Sequence, residues 1–347
     1  MKRVSNIERV GKIGILLGGP SSEREISIKS GNTVYDSLLS LGYDAVKIDV
    51  KDAGSFKEET LSAGIDIAFI ALHGKFGEDG RVQRALDDMN IPYIGSGPEA
   101  SRLALDKTAS KEIFKEHSIP TPDYILLKRD QRTLFSKGSN LPPFALPFVV
   151  KPAKEGSSIG MSIVQERNMI IPALDEAFRY DDAVILEEYI EGDDITVGIL
   201  NEKPLPVIKI KPKEKFYNFT AKYTKGVSEY IVPAPLQEKT TALAQQLGLL
   251  AHSVLGCYSF SRVDMLISRE DDSFTVLEVN TIPGLTSSSL LPKAAKAAGI
   301  DFGQMCVNML EFTLDKDNNR TEALPLPRSF GPSWPEAGEY TRGPSKE

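Results

Sequence analysis

The chain has 347 residues, more than one hydrophobic core normally organises, so two or three domains are expected. Acidic side chains outnumber basic ones 48 to 41, and the net charge of −7 gives no electrostatic footprint for nucleic acid. Cys257 and Cys306 form neither a Cys-x-x-Cys pair nor a disulfide framework, which suits a reducing cytoplasm. No apolar run is long enough to span a membrane, and the polar Met1–Gly11 lacks the apolar core of a signal peptide.

Lys12–Leu17 is a short apolar run ending at Gly18-Gly19, and it reads as a first strand and a tight turn. Ser22-Glu23-Arg24-Glu25 has capping-box spacing. The helix it opens is expected to run to about Leu41, with Gly42 just past its end. Glu23 has an ordinary role available there, as a first-turn acid facing the helix dipole. Asp44–Val50 and Asp66–Leu72 read as strands, the second apolar throughout and so buried on both faces. The chain up to Gly95 is therefore expected to form strand–helix–strand units, a small doubly wound parallel sheet. Gly18-Gly19 is not Gly-x-Gly-x-x-Gly, so a dinucleotide site has no motif support. His73 to Gly80 follow the buried strand at the carboxyl end of the sheet, where α/β proteins bind ligands; a purely local hydrogen-bonding role for His73 is the competing reading. Pro98–His117 reads as one helix with Lys107 inside it.

Pro122–Leu127 reads as a strand or connector and Lys128–Pro143 as a polar loop. Pro147–Val164 is a strand, a Gly/Ser loop and a second strand. Backbone N–H groups around Gly156-Ser157-Ser158 can wrap a phosphate, with Lys151 in reach, although the spacing is not that of a P-loop. Asn168–Tyr180 is expected to be helical, with Pro172 in its first turn. Ala183–Leu186 is a buried strand ending in Glu187-Glu188-Tyr189-Ile190, and Gly192 turns the chain into Ile195–Leu200. Acids and an aromatic at a strand end can hold a nucleoside; an ordinary surface hairpin is the alternative. Val207–Lys211 is a further strand. Residues 213–226 are basic and aromatic with neither clean period, a length that suits a mobile lid. Gln237–Leu255 reads as an amphipathic helix with a structural His252. Ser289–Ala298 and Phe302–Leu314 read as helices, and the tail from Asp315 is polar and proline-bearing, extended or disordered, with the only tryptophan, Trp334.

The densest chemistry lies in residues 262–290. Two alternating apolar runs flank a polar turn centred near Asp271, which predicts a β-hairpin with Asp264 opposite Glu278 and Arg262 opposite Asn280. All four side chains then share one face. Directly opposed acids repel unless positive charge lies between them, and a hard cation such as Mg²⁺ fits two carboxylates and an amide oxygen. An ordinary hairpin with charges on one face is the bland alternative, and a register slip of one residue would separate the acids. Ser287–Ser289 opens a helix whose N-terminal N–H groups suit an anion.

Taken together, Gly18-Gly19 with Ser22-Glu23-Arg24-Glu25, His73-Gly74 with Gly77-Glu78-Asp79-Gly80, Asp106-Lys107, Lys151-Pro152 with Gly156-Ser157-Ser158, Phe216-Tyr217 with Ala221-Lys222-Tyr223, Arg262-x-Asp264, and Glu278-x-Asn280 with Pro283-Gly284 resemble the D-alanine–D-alanine ligases of the ATP-grasp superfamily. The resemblance spans about Lys12 to Leu314. It implies an α/β (α+β) ATP-grasp fold. An N-terminal parallel α/β substrate domain would span 1–105, a central subdomain 106–190, and a C-terminal subdomain 191–318 with the lid at 213–226. ATP would lie between the last two, and 319–347 would be a flexible tail.

The resemblance also implies roles. Two D-alanines would be joined through a D-alanyl phosphate, for peptidoglycan precursor and cell-wall synthesis in the cytoplasm. The expected assembly is a homodimer, with no nucleic-acid or membrane partner. Asp264, Glu278 and Asn280 would hold two Mg²⁺ ions, with Mn²⁺ as a substitute. Lys107, Lys151 and Lys222 would neutralise phosphate oxygens, with Ser158 at the Gly/Ser loop. Glu187 would meet the adenine amine and the backbone of Glu188 and Ile190 its edge. Tyr189 and Phe216 would sandwich the ring, and Asp194 would hold the ribose. Arg262 and the Gly284 N–H would form the oxyanion hole. Glu23 would bind the first ammonium within a Glu23–Ser157–Tyr223 chain, and His73 would sit near the first carboxylate. Ser289 and the Leu290 N–H would grip the second carboxylate. Tyr223 and Leu290 are the residues of the dipeptide-forming type; relatives that use D-lactate or D-serine, or a non-catalytic nucleotide-binding homologue, are the alternatives. The chain departs from the common pattern at Asn218 and Phe219, where the lid usually reads Asp-Tyr, and at Arg84, where glycine is frequent.

Overall fold

The computed structural model describes residues 10–135, 142–212 and 228–318. The expected lid and the tail from residue 319 onward therefore lie outside the described residues; residues 315–318, where an extended tail was expected to begin, are instead the last turn of a helix. Among those described, no helix is long and apolar enough to cross a membrane.

The apolar run after Lys12 is strand β1 (Ile13–Gly18), buried along its whole length. It pairs in parallel with β2 (Ala45–Val50) on one side and β3 (Ile67–Ile70) on the other, and β4 (Tyr93–Ile94) adds in parallel to β3. Helices α1 (Arg24–Ser40), α2 (Phe56–Ala63) and α3 (Arg81–Asp88) alternate with the strands. The order β2-β1-β3-β4 reverses at β1, so the crevice beyond the carboxyl ends of β1 and β3 is the switch point where such sheets bind ligands. Gly18-Gly19 and His73 leave the sheet there. Both glycines take left-handed backbone, φ 86° and 85°, a turn that a side chain would strain.

The capping box does not form. Helix α1 starts at Arg24 with no side-chain cap. Ser21, not Ser22, is the working hydroxyl: it donates to the His73 carbonyl (2.6 Å) and accepts from Glu23 N–H (3.2 Å). A tertiary bond has displaced a local one, and Glu23 turns into the protein instead of along the helix end.

The single helix expected over Pro98–His117 is two, α4 (Pro98–Leu105) and α5 (Lys107–Glu116). Asp106 between them has extended backbone, and its carboxylate accepts from Thr108 N–H (3.1 Å) and Ala109 N–H (3.2 Å) as an N-cap. The break makes Lys107 the first residue of α5 and aims its buried side chain inward. Asp106→Ala is expected to cost about 1 kcal/mol of stability, read by thermal unfolding, because the first turn loses its acceptor.

The second sheet is antiparallel, in the order β5 (Tyr124–Lys128), β8 (Ala183–Glu188), β6 (Phe148–Pro152), β7 (Ser162–Val164). Helix α6 (Ile170–Ala177), with Pro172 in its first turn, closes a core of Phe148, Val150, Leu174 and Phe178. The polar stretch after β5 begins with a 3₁₀ run, Arg129–Phe135, where a loop was expected.

The third sheet contains β9 (Gly192–Leu200), β10 (Lys203–Pro204), β11 (Ile208–Pro212), β12 (Ser228–Ile231), β13 (Phe260–Ser268) and β14 (Phe274–Asn280). Its main path is β12-β11-β9-β13-β14, with α7 (Glu238–Val254) packed behind it. Strands β8 and β9 belong to different sheets. The expected turn at Gly192 is thus no hairpin, and Tyr189–Glu191 cross from one sheet to the other. The last helices, α8 (Leu290–Ala297) and α9 (Phe302–Asn318), return to the parallel sheet. Leu291, Met305 and Met309 share a core with Ile15, Val34 and Phe69. That shared core brings the start of α8 towards the switch-point crevice.

The hairpin register is as expected: Arg262 opposes Asn280 and Asp264 opposes Glu278. A β-bulge follows, so that Met265 opposes Val276 and Leu277 is the extra residue. A bulge removes the strict alternation of side chains, and Leu277 and Glu278 both face the same cavity.

Candidate active site

Two cavities meet at one wall. The larger, about 630 Å³, lies between the second and third sheets and is of ligand-pocket size. Its lining brings together Lys107, Lys151, Ser158, Glu187, Glu188, Tyr189, Ile190, Asp194, Asp264 and Glu278, all residues singled out in the sequence. The smaller, about 150 Å³, lies at the switch-point crevice. It gathers Glu23, Ser157, Arg262, Asn280, Gly284, Ser289 and Leu290. Lys107 and Glu278 line both. Of the remaining expected residues, His73 lines neither cavity, and Phe216, Lys222 and Tyr223 lie outside the described residues.

The shared wall is built from charge. Lys107 Nζ donates to the Glu155 carbonyl (2.7 Å) and stands 3.2 Å from Glu278. Arg262 holds Asp264 with two parallel bonds, Nε to Oδ1 at 2.8 Å and Nη2 to Oδ2 at 2.7 Å, and Thr196 on β9 donates to the same carboxylate at 2.7 Å. The repulsion expected between the opposed acids is thus offset by a lysine and an arginine. The donor set of two carboxylates and the Asn280 amide oxygen is hard and oxygen-only, which fits Mg²⁺ completed by water or phosphate. Among the described residues no three His, Cys, Asp or Glu side chains gather as a metal centre, so any ion here draws on the amide and on non-protein oxygens.

On the wall of the larger cavity, Glu187 is 3% exposed and lies between two lysines. Lys151 Nζ is 2.7 Å from Oε1 and Lys111 Nζ is 2.9 Å from Oε2. Burial alone would raise this carboxyl; the two ammonium groups outweigh it and hold it below the usual carboxylate range. Burial pulls Lys111 down to about 8 against the attraction of Glu187. The Glu188 N–H is engaged by the Asp123 carbonyl at 2.8 Å.

In the smaller cavity Glu23 is buried and accepts a hydrogen bond from the Ser157 hydroxyl. Ser157 and Ser158 both take left-handed backbone, φ 54° and 58°. Two such non-glycine residues in succession cost on the order of 1–3 kcal/mol each, strain that the surrounding structure must hold. Glu78 joins Glu23 on the cavity wall. Burial and then the Glu23 charge push its carboxyl well above the usual range, and its Oε2 accepts from Gly74 N–H at 2.6 Å. Gly284 is fixed by close approach: a Cβ there would lie 2.8 Å from Ser289 Oγ. Ser289 is the residue before α8, and its hydroxyl accepts from Thr286 N–H at 3.1 Å.

His73 staples the two ends of the chain together. Its Nδ1–H donates to the Ile282 carbonyl (3.0 Å), and Nε2 accepts from Ser30, which itself accepts from Leu285 N–H at 3.2 Å. Burial, with Arg262 nearby, lowers its pKa to about 4 against the raising effect of the Ile282 bond. Unfolded histidine titrates near about 6.5, so this contribution to stability is complete above that pH and is lost as pH falls towards 4. The loss is about 2 kcal/mol by pH 5. His73→Gln is expected to flatten that part of the profile, measured by thermal unfolding at about pH 7.5 and pH 5.

Four contributing residues were missed in the sequence. Lys111 follows Lys107 by four positions on one helix, a spacing that puts both on one face. Glu78 stood in a quoted motif without a role. Glu155 takes an ion pair from Lys75 at 2.5 Å across the junction of the first two sheets. Thr196 meets Asp264 only through the β9–β13 ladder, for which no local signal exists.

Two antiparallel sheets closing on an acid-lined cavity, beside a parallel-sheet unit that supplies a second pocket, define an ATP-grasp protein. Residues 113–311 match the family described as D-ala D-ala ligase C-terminus, and residues 52–96 match D-ala D-ala ligase N-terminus. A D-alanine–D-alanine ligase of Syntrophotalea carbinolica is 44% identical over 300 residues, 86% of this chain and 95% of that one. The crystal structure of D-alanine–D-alanine ligase from Bacillus anthracis superposes with a TM-score of 0.77 at 35% identity, over 89% of this chain and 99% of that one. The same enzyme complexed with ATP gives 0.75 at 33% identity, with the same coverage. The chain belongs to the D-alanine–D-alanine ligase family.

Proposed function

We propose that the chain joins two D-alanines into D-alanyl-D-alanine at the expense of ATP, for cell-wall precursor synthesis in the cytoplasm, and works as a homodimer. The observation that carries the reading is the wall shared by the two cavities. One compartment is of ligand-pocket size and lined by acids and lysines; the other is small, with a buried acid and an arginine. A phosphoryl group crossing from one to the other would pass Lys107 and Glu278.

The larger compartment takes ATP. Glu187, as an ionised acceptor, meets the adenine amine, and the Glu188 carbonyl and Ile190 backbone meet the base edge. Tyr189 packs on the ring, with Phe216 as the second face. Asp194 holds the ribose hydroxyls. Lys107 and Lys151, with Lys222, neutralise phosphate oxygens, and the loop at Ser158 wraps them. Asp264, Glu278 and Asn280 would hold Mg²⁺, or Mn²⁺ in its place, which supplies charge neutralisation along the triphosphate.

The smaller compartment takes the amino acids. Glu23 binds the ammonium of the first D-alanine, with Ser157 and Tyr223 holding Glu23 in place. A carboxylate oxygen of that D-alanine attacks the γ-phosphorus and ADP leaves, giving an acyl phosphate. The amine of the second D-alanine attacks the acyl carbon; the C–O bond to phosphate breaks and the amine loses a proton. Arg262 and the Gly284 N–H face the oxygen that becomes negative in between. Ser289 and the Leu290 N–H grip the second carboxylate. His73, with both ring nitrogens occupied, acts by fixing the 282–285 segment near the first substrate. Tyr223 and Leu290 favour D-alanine over D-lactate or D-serine as second substrate.

The test is phosphate release from Mg-ATP with D-alanine, L-alanine, or D-alanine plus D-lactate, with product mass determined. Release with D-alanine alone and a dipeptide mass is expected. Release that requires D-lactate would change the second substrate, and no release despite ATP binding would leave a non-catalytic homologue.

A further inference from the structure

We propose that Lys111 is the fixed counterion that keeps Glu187 an acceptor-only carboxylate, and thereby sets the preference of the nucleotide site for a 6-amino over a 6-oxo purine. The inference rests on the assignment of Glu187 to the base. It goes beyond that assignment by naming a residue that touches no nucleotide.

The two lysines on Glu187 are not equivalent. Lys151 lines the cavity and is one of the lysines assigned above to the phosphate oxygens. Lys111 does not line it: its side chain is 0% exposed, and it is tied in three directions. Its Nζ donates to Thr121 Oγ1 at 2.7 Å and to the Pro122 carbonyl at 3.2 Å, and stands 2.9 Å from Glu187 Oε2. Phosphate oxygens that draw Lys151 away leave Lys111 as the partner of Glu187. A carboxyl that buried takes up a proton once its last cation is gone. A carboxylic acid donates as well as accepts, so it tolerates the carbonyl of a 6-oxo purine. An ionised carboxylate offers that carbonyl only another acceptor, and the mismatch leaves buried groups unpaired. Lys111 is therefore a positioning and specificity residue for the base.

The experiment compares kcat/KM for ATP and for inosine triphosphate in the native chain, Lys111→Met, Lys111→Gln and Glu187→Gln, with KM for D-alanine measured alongside. Lys111→Gln keeps a donor towards Thr121, so a folding failure of the methionine variant does not end the test. The expected result is a fall of about ten-fold or more in the ATP/ITP ratio of the lysine variants, with KM for D-alanine unchanged. A ratio unchanged in a folded lysine variant while Glu187→Gln collapses it would overturn the role of Lys111. So would an equal rise in KM for D-alanine, which marks general damage. A ratio unchanged in Glu187→Gln itself would instead overturn the assignment of Glu187 to the base.

Discussion

Arg262→Ala is expected to lower kcat by about three orders of magnitude and to change KM for ATP far less. Two losses combine. In the proposed reaction the guanidinium is the side chain that faces the oxyanion of the tetrahedral intermediate, and removing one such donor costs roughly 10²–10³ in rate. Arg262 also fixes Asp264 through two parallel bonds at 2.8 and 2.7 Å. Without it that carboxylate loses its orientation beside Glu278, although Thr196 still donates to it. Arg262→Lys is expected to recover little, because an ammonium cannot make the paired contact. Steady-state kinetics with circular dichroism on the purified variants checks this; activity within ten-fold of the native chain would remove Arg262 from the chemistry.

Glu278→Gln is expected to be as damaging for a different reason. The side chain keeps its shape and loses its charge. The fold should survive, because Glu278 is partly exposed at 23% and lies in a ladder held by backbone bonds. Lys107 then faces an amide, and a divalent ion at the proposed site would lose one of its two carboxylate ligands. A fall of about 10³ in kcat is expected, with a raised Mg²⁺ requirement and little change in thermal stability. Titrating Mg²⁺ against activity in both proteins reads this directly. Native-like turnover at low Mg²⁺ would dismiss the proposed ligand set.

The hairpin was legible because alternation fixes which residues share a face, and Asp264, Glu278, Arg262 and Asn280 keep that alternation up to the bulge. The bulge itself was not legible, since one extra residue can be absorbed in the turn without changing the composition of either strand. The parallel sheet was legible from its apolar runs. The helix break at Asp106 was written in the Asp-Lys-Thr-Ala order of an N-cap, yet apolar residues on both sides continue a helical rhythm across it. The failed capping box teaches the opposite lesson. Ser22 and Glu25 have the right spacing, but Ser21 finds a partner at His73, far along the chain, and no local pattern reports a bond of that range. The same holds for Thr196 on Asp264 and Ser30 on His73. Lys111 was within reach, since its distance of four from Lys107 places it on the same face, but most helix lysines are solvated and nothing local marks this one as buried.

In the proposed reaction a carboxylate of one D-alanine is activated by the γ-phosphoryl group across the Lys107–Glu278 wall and then surrendered to an amine. D-alanine labelled with ¹⁸O in its carboxylate tests it most directly. After one round with Mg-ATP, the released phosphate should carry one ¹⁸O atom, the other product being ADP and a dipeptide that has lost that oxygen. Unlabelled phosphate, or AMP with pyrophosphate, would contradict the account.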